Sequence, residues 1–263
     1  MFSGSAVADV TNSSGFGSLD NPPLVAIYTV HFNDESNQSQ HIAYSLDEGL
    51  TWTKYADNPV LDLGMKDFRD PKVTWQETTQ SWLMTVAKPQ EFKIAFFTSK
   101  DLINWSHLSD FGPLGATGGI WECPDLFPLQ TEDGATKWAL IVSLNPGGYQ
   151  IGSGTQYFIG DWNGKEFIAD DTNTRWLDYG RDNYAGVTFN DAPEGKRIFI
   201  GWMSNWQYAH EFPTTPWRSA MTYPRELTLK DNSLVQQVVR NTSLPKITFR
   251  TSGGLLRISE SDN

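Results

Sequence analysis

Two short blocks gather the side chains that can do acid–base chemistry: Phe68-Arg69-Asp70-Pro71 and Trp121-Glu122-Cys123-Pro124-Asp125. Cleaving a glycosidic bond takes a pair of carboxyl groups, one giving a proton and one stabilising or attacking the sugar carbon. Asp70 follows Arg69, and a neighbouring guanidinium keeps a carboxylate ionised and oriented, a setting for charge stabilisation or hydroxyl binding. Glu122 stands among Trp121, Cys123 and Pro124, and apolar company raises a carboxyl pKa, as a general acid requires. Taken singly, Asp70 reads equally as a turn residue before proline and Glu122 as an edge-strand residue. Their spacing of 52 residues joins them, because it places both at one level of a repeating architecture.

The elements that must position them are strands. Leu24–Val30, Trp82–Val86, Ile94–Thr98, Lys137–Val142 and Arg197–Trp202 are short, rich in β-branched or aromatic residues, and separated by Asn-Pro, Gly-Gly, Asn-Gly and Pro-Glu-Gly turns. Ser45-Leu46-Asp47-Glu48-Gly49-Leu50-Thr51-Trp52 has the form of an Asp box, and Ser99-Lys100-Asp101-Leu102-Ile103-Asn104-Trp105 echoes it 54 residues later. In such a turn the Asp hydrogen-bonds the backbone and the Trp packs beneath, so both Asp residues are read as structural. The offset is about one four-stranded blade of a β-propeller.

Composition narrows the partner. A formal charge of −11 and a pI near 4.7 argue against nucleic acid or an anionic membrane, and for a neutral substrate. No apolar run approaches the roughly 20 residues of a membrane helix. The 11 Trp can fill β cores or stack on sugar rings. Cys123 is the single cysteine, which excludes an internal disulfide and a multi-cysteine metal site; neither metal nor cofactor is expected. Sequons at Asn12, Asn37, Asn104 and Asn241 fit a secreted protein, although Met1-Phe2-Ser3-Gly4 has neither the basic start nor the apolar stretch of a signal peptide.

In order along the chain, Phe2-Ser3-Gly4-Ser5, the Arg69-Asp70-Pro71 and Glu122-Cys123-Pro124-Asp125 blocks, and Gln156-Tyr157-Phe158-Ile159-Gly160 resemble the landmarks of glycoside hydrolase family 32. So do Asp178-Tyr179-Gly180 with Asp182 and Tyr184-Ala185, and Gly201-Trp202-Met203-Ser204-Asn205-Trp206. The family comprises invertases, exo-inulinases, levanases and related fructosyltransferases. The resemblance implies an all-β fold, a five-bladed propeller followed by a β-sandwich, and a retaining mechanism through a covalent fructosyl-enzyme on an Asp nucleophile. It makes Asp70 the transition-state stabiliser and Glu122 the acid/base, with Arg69 and Cys123 in support. Phe2 and Ser3 would line the fructose pocket, and Trp202 or Trp206 would form its aromatic wall.

The family's nucleophile lies in a W-M-N-D-P-N-G block upstream of F-S-G, and the present sequence starts at F-S-G. Asp20-Asn21-Pro22-Pro23, Asn33-Asp34-Glu35 and Asp57-Asn58-Pro59 are look-alikes without the Pro-Asn-Gly context. The expectation is a partial propeller over residues 1–240 with an incomplete first blade, then a linker and the first strand of a truncated sandwich over 241–263. The expected partner is a fructose-containing saccharide, with no nucleic acid and no membrane. Two other readings stand beside this one: an inactive fructan-binding propeller, and an inverting five-bladed arabinan or xylan hydrolase.

Overall fold

The computed structural model describes residues 1–33 and 36–239, and the backbone of two strands beyond them. Strands collect into four antiparallel sheets in chain order, arranged as blades of a β-propeller. The first holds β1 (Gly4–Ala8), β2 (Leu24–His31), β3 (Gln38–Ser45) and β4 (Thr53–Lys54). The second holds β5 (Arg69–Gln76), β6 (Ser81–Lys88), β7 (Lys93–Ser99) and β8 (Ser106–Phe111). The third holds β9 (Ile120–Gln130), β10 (Thr136–Asn145), β11 (Gly154–Trp162), β12 (Phe167–Ala169) and the short β13 (Arg175–Trp176). The fourth holds β14 (Tyr184–Thr188), β15 (Arg197–Met203), β16 (Ala220–Met221), β17 (Arg225–Lys230) and β18 (Ser233–Val238). β19 (Ile247–Ser252) and β20 (Leu255–Glu260) pair with each other as a separate two-stranded sheet.

Side chains alternate between the faces of a strand, and here the alternation sorts them into cores. Trp82, Met84 and Val86 of β6 pack toward Val25, Ile27 and Ile42 of the first sheet, while Leu83 and Ala87 pack toward Trp121, Leu140 and Phe158 of the third. β10 divides the same way: Leu140, Val142 and Leu144 face the second sheet, Ala139 and Ile141 face Phe199, Leu227 and Leu229 of the fourth. Strands covered on both sides read as continuous apolar runs. β17 buries Leu227 and Leu229 on one face only. Four sheets are thus joined by three cores among the described residues, with β1 packed on β5, β5 on β9 and β9 on β14.

The first sheet has four strands, a correction to the incomplete first blade expected from the sequence, and four of the expected five blades lie among the described residues. The expected terminal strand is present from Leu255, but it has a partner in β19. Gly253, Gly254 and the expected boundary at 240/241 lie outside the described residues, as do Asn241 and the look-alike residues Asp34 and Glu35.

Both Asp boxes form where the third strand of a blade turns into the fourth. Asp47 accepts hydrogen bonds from Thr51 N at 2.9 Å and Thr51 Oγ1 at 2.6 Å, and Trp52 Nε1 closes the turn on Gly49 O at 2.9 Å. Asp101 accepts from Ile103 N at 3.0 Å and Asn104 N at 2.8 Å, and Trp105 Nε1 donates to Leu102 O at 3.0 Å. A third turn, between β11 and β12, repeats the plan: Asn163 Oδ1 accepts from Lys165 N and Glu166 N, both at 2.9 Å, and Phe167 is buried behind it.

Candidate active site

A propeller's side chains point at neighbouring blades, and its innermost strands turn only backbone edges to the central axis. Aiming a side chain at the axis requires a bulge, which inserts one residue and re-aims the strand. Three inner strands carry one at the same place. β5 has an extra residue between the Arg69↔Ala87 and Lys72↔Thr85 pairs, β9 between Glu122↔Ser143 and Asp125↔Ile141, and β14 between Tyr184↔Trp202 and Val187↔Ile200. The bulged residue is left-handed each time: Asp70 at φ 65°, Cys123 at φ 48° and Ala185 at φ 52°. None is glycine, so each costs on the order of 1 kcal/mol or more. Pro71 and Pro124 follow because a bulge leaves an unpaired position where a missing N–H does no harm.

The bulges align the strands in tiers. Arg69, Glu122 and Tyr184 share the outermost, Asp70, Cys123 and Ala185 the next, Lys72 and Asp125 the one below. The 52-residue spacing placed Asp70 level with Glu122; the register instead matches Asp70 with Cys123 and Arg69 with Glu122, one residue out of step. Contacts run within each tier. Arg69 donates from Nε to Glu122 Oε1 at 3.0 Å, its Nη2 lies 2.9 Å from the same oxygen, and Tyr184 OH donates to Glu122 Oε2. Asp70 Oδ2 accepts from Cys123 N at 3.0 Å and Cys123 Sγ at 3.5 Å. Lys72 Nζ lies 3.9 Å from Asp125 Oδ2, which also accepts from Thr188 N at 2.7 Å.

The Arg69 charge favours the ionised form of Asp70, but its guanidinium hydrogen bonds go elsewhere. Its Nη1 donates to Asp67 Oδ1 at 2.7 Å and to Gln38 Oε1 at 3.2 Å, so its hydrogen bonds go to Glu122, Asp67 and Gln38. Asp70 is buried, and burial followed by the facing charge of Glu122 pushes its carboxyl up to about 6, against the opposing pull of the Cys123 N–H and Arg69. Burial, then the charges of Asp70 and Glu122, lifts the Cys123 thiol well above its usual value, so it stays a neutral thiol. Burial and Glu122 do the same to Tyr184, which remains a phenol able to donate. The site is one carboxyl group held by a cation and a phenol, beside a second, buried carboxyl whose pKa is raised.

The remaining expected residues fall around this cluster. Phe2 N donates to Thr29 O at 2.8 Å, and its exposed ring stacks on His31 with centroids 4.8 Å apart. Thr29 also fixes Asp70, whose N donates to Thr29 Oγ1 at 3.0 Å. Ser3 reaches the Cys123 thiol. Trp202 sits directly across from Tyr184 in the ladder, and the Trp206 ring meets the Trp202 ring at a tilt, with centroids 5.0 Å apart. Sequence reasoning quoted Tyr184 without assigning it a contact and passed over Asp67 and Gln38. The signal for Tyr184 was its place before a bulge, which needs the register. No group of three or more metal-ligating side chains occurs among the described residues.

A cavity of about 710 Å³ lies elsewhere: it opens at the far ends of the inner strands, beside Ala8, Gln76, Gln130 and Asn190. The Glu122 and Asp70 cluster is at the near ends, away from this cavity.

The sequence model of the glycosyl hydrolases family 32 N-terminal domain matches residues 1–238. A levanase of Bacillus subtilis is 50% identical over 238 residues, covering 88% of this chain and 35% of the levanase. An extracellular exo-inulinase of Aspergillus niger is 45% identical over 269 residues, covering 90% of this chain and 50% of the exo-inulinase. In structure, the fructofuranosidase of Schwanniomyces occidentalis complexed with fructose matches with a TM-score of 0.88 at 41% identity, over 94% of this chain and 50% of that one. The chain therefore spans half or less of the length of these relatives, and it belongs to glycosyl hydrolases family 32.

Proposed function

We propose that the chain is the central part of a secreted β-fructofuranosidase that releases fructose from sucrose, inulin or levan with retention of configuration. The observation that carries this reading is Glu122, held between Arg69 and Tyr184 at the end of the axis with Asp70 buried beside it. Glu122 protonates the leaving oxygen and then takes a proton from the attacking water. Asp70 grips fructose hydroxyls and balances the positive charge that develops on the sugar. Phe2 and Ser3 border the fructose, and Trp202 or Trp206 forms its wall.

The attacking carboxylate is an Asp in a further blade contributed by a longer polypeptide. Three cores between four sheets leave the first and fourth sheets each with a face for such a blade. Residues 241–263 are read as a linker and the start of a β-sandwich. No helix among the described residues is long and apolar enough to cross a membrane, and the extracellular exo-inulinases among the relatives support secretion.

The test is fructose release from sucrose and inulin. The 263-residue chain alone is expected to be nearly inactive, because the covalent step has no nucleophile. Extension upstream through a W-M-N-D-P-N-G block is expected to restore turnover, and Glu122→Gln in that protein to cut kcat by about 10²- to 10⁴-fold. Turnover by the chain alone within about tenfold of the extended form would defeat the proposal. A product of inverted anomeric configuration would assign the chain to the arabinan or xylan type of mechanism instead.

A further inference from the structure

Below the two tiers that hold Glu122 and Asp70, the third tier contains a charge pair that the chemistry above does not use. Lys72 and Asp125 are both buried, on the inner strands of the second and third sheets. Lys72 Nζ donates to Thr188 O and lies 3.9 Å from Asp125 Oδ2. The same Asp125 oxygen accepts from Thr188 N at 2.7 Å and from Thr188 Oγ1 at 2.8 Å, while Asp125 Oδ1 has no hydrogen-bond partner. Replacing a buried ion pair by apolar groups is often neutral or stabilising, so fastening the core does not account for this one. Its placement does.

β5 and β14 belong to the second and fourth sheets, with the third between them. The Lys72 bond to Thr188 therefore crosses the axis and skips a blade. β14 is an edge strand whose ladder partner is β15. Toward the other sheets it is held by side-chain bonds: Thr188 on Asp125, Lys72 on Thr188, and Ala185 N on Ser143 Oγ at 3.1 Å. Just past its end, Asn190 Nδ2 donates to Val73 O of β5 at 3.0 Å. β14 is five residues long, so Thr188 is one end and Tyr184, the phenol that donates to Glu122, is the other. Fixing the first aims the second.

We propose that Lys72 and Asp125 are positioning residues, which clamp the far end of β14 across the axis and so hold the Tyr184 hydroxyl on Glu122. For turnover this rests on Glu122 being the acid/base; the effect on Tyr184 itself does not.

The test uses Lys72→Met with Asp125→Asn, which removes one charge of each sign and leaves none unpaired. In the wild type, burial, then Glu122, Cys123 and Asp70, hold the Tyr184 phenol well above its usual value. NMR of tyrosine labelled at the ring carbon bearing the hydroxyl, with Tyr184 assigned from Tyr184→Phe, reads that titration in the 263-residue chain. The double variant is expected to bring Tyr184 back toward the ordinary phenol value of about 10. Asp101→Ala, a rim variant, is expected to leave it raised. Lys72→Gln, one atom shorter and still a donor beside Asp125, carries the same test if the double variant does not fold. A Tyr184 titration unchanged by loss of Lys72, or shifted equally by Asp101→Ala, overturns the proposal. In the chain extended upstream through its nucleophile, the double variant is expected to lower kcat about tenfold or more with KM nearly kept. A moved Tyr184 titration with full turnover keeps the clamp and sinks Glu122 as the acid/base.

Discussion

The acids at the blade rims and the acid at the axis are the same side chain put to opposite use. Asp47 is surrounded by donors from Thr51 and Ser45, and the Thr51 hydrogen bonds pull its carboxyl down to about 2. For Asp101, burial pushes upward, but hydrogen bonds from Asn104, Ile103 and Ser99 outweigh it and hold the carboxyl below its ordinary range. Asp70 has two donors, both from Cys123, and full burial, and it goes up to about 6. The number of donors set against the depth of burial decides whether a carboxylate fastens the fold or strains it. The rim acids stabilise turns; the axial acid is a cost that the rest of the molecule offsets.

Removing the group that offsets it should have the largest effect. Arg69→Ala leaves Glu122 and Asp67 without their cation in a site that is mostly closed to water, and should cost about 3 kcal/mol in a urea titration. A loss no larger than that of a rim variant would erase the contrast between axis and rim. Asp70→Asn should act in the other direction. The unfolded Asp titrates near 3.8 and the folded one near 6, so between those values the folded state binds more protons and stability falls as pH rises. Asparagine tolerates the left-handed backbone and has no such titration, so Asp70→Asn should gain about 3 kcal/mol at pH 7 and flatten the stability curve between pH 4 and 6. An unchanged curve would mean that Asp70 is ionised at no cost. Asp101→Ala should lose about 1 kcal/mol or less, since solvent screens the turn. Its carboxyl is lowered on folding, so that contribution is present above the unfolded pKa and fades as pH falls through the folded value. Thermal melts across pH would show the opposite slopes of Asp70 and Asp101 directly.

Much of the scaffold could be read from the residues. Trp82-Leu83-Met84-Thr85-Val86 is apolar but for Thr85, and Trp138-Ala139-Leu140-Ile141-Val142 is apolar throughout, because each strand has a core on both sides. The Asp boxes announced two blade turns, and the third stayed hidden because Asn163 and Phe167 replace the Asp and Trp of the pattern. The acidic residues of the site were legible; their company was not. Arg69 is next to Asp70 in sequence, yet the bulge turns consecutive side chains apart, so the guanidinium meets Glu122 from another blade. Proline in the middle of an inner strand, at Pro71 and again at Pro124, was the available sign that a bulge would decide the pairing.

The three left-handed bulges also set where the chain tolerates changes in length. A residue added to a rim hairpin lengthens a turn that meets solvent. A residue deleted from Arg69-Asp70-Pro71 or Glu122-Cys123-Pro124 would straighten the inner strand and swing the carboxyl from the axis into the adjacent blade. Gaps should therefore gather at the outer turns of related sequences, while the starts of β5, β9 and β14 keep a constant count of residues even where the residues themselves differ.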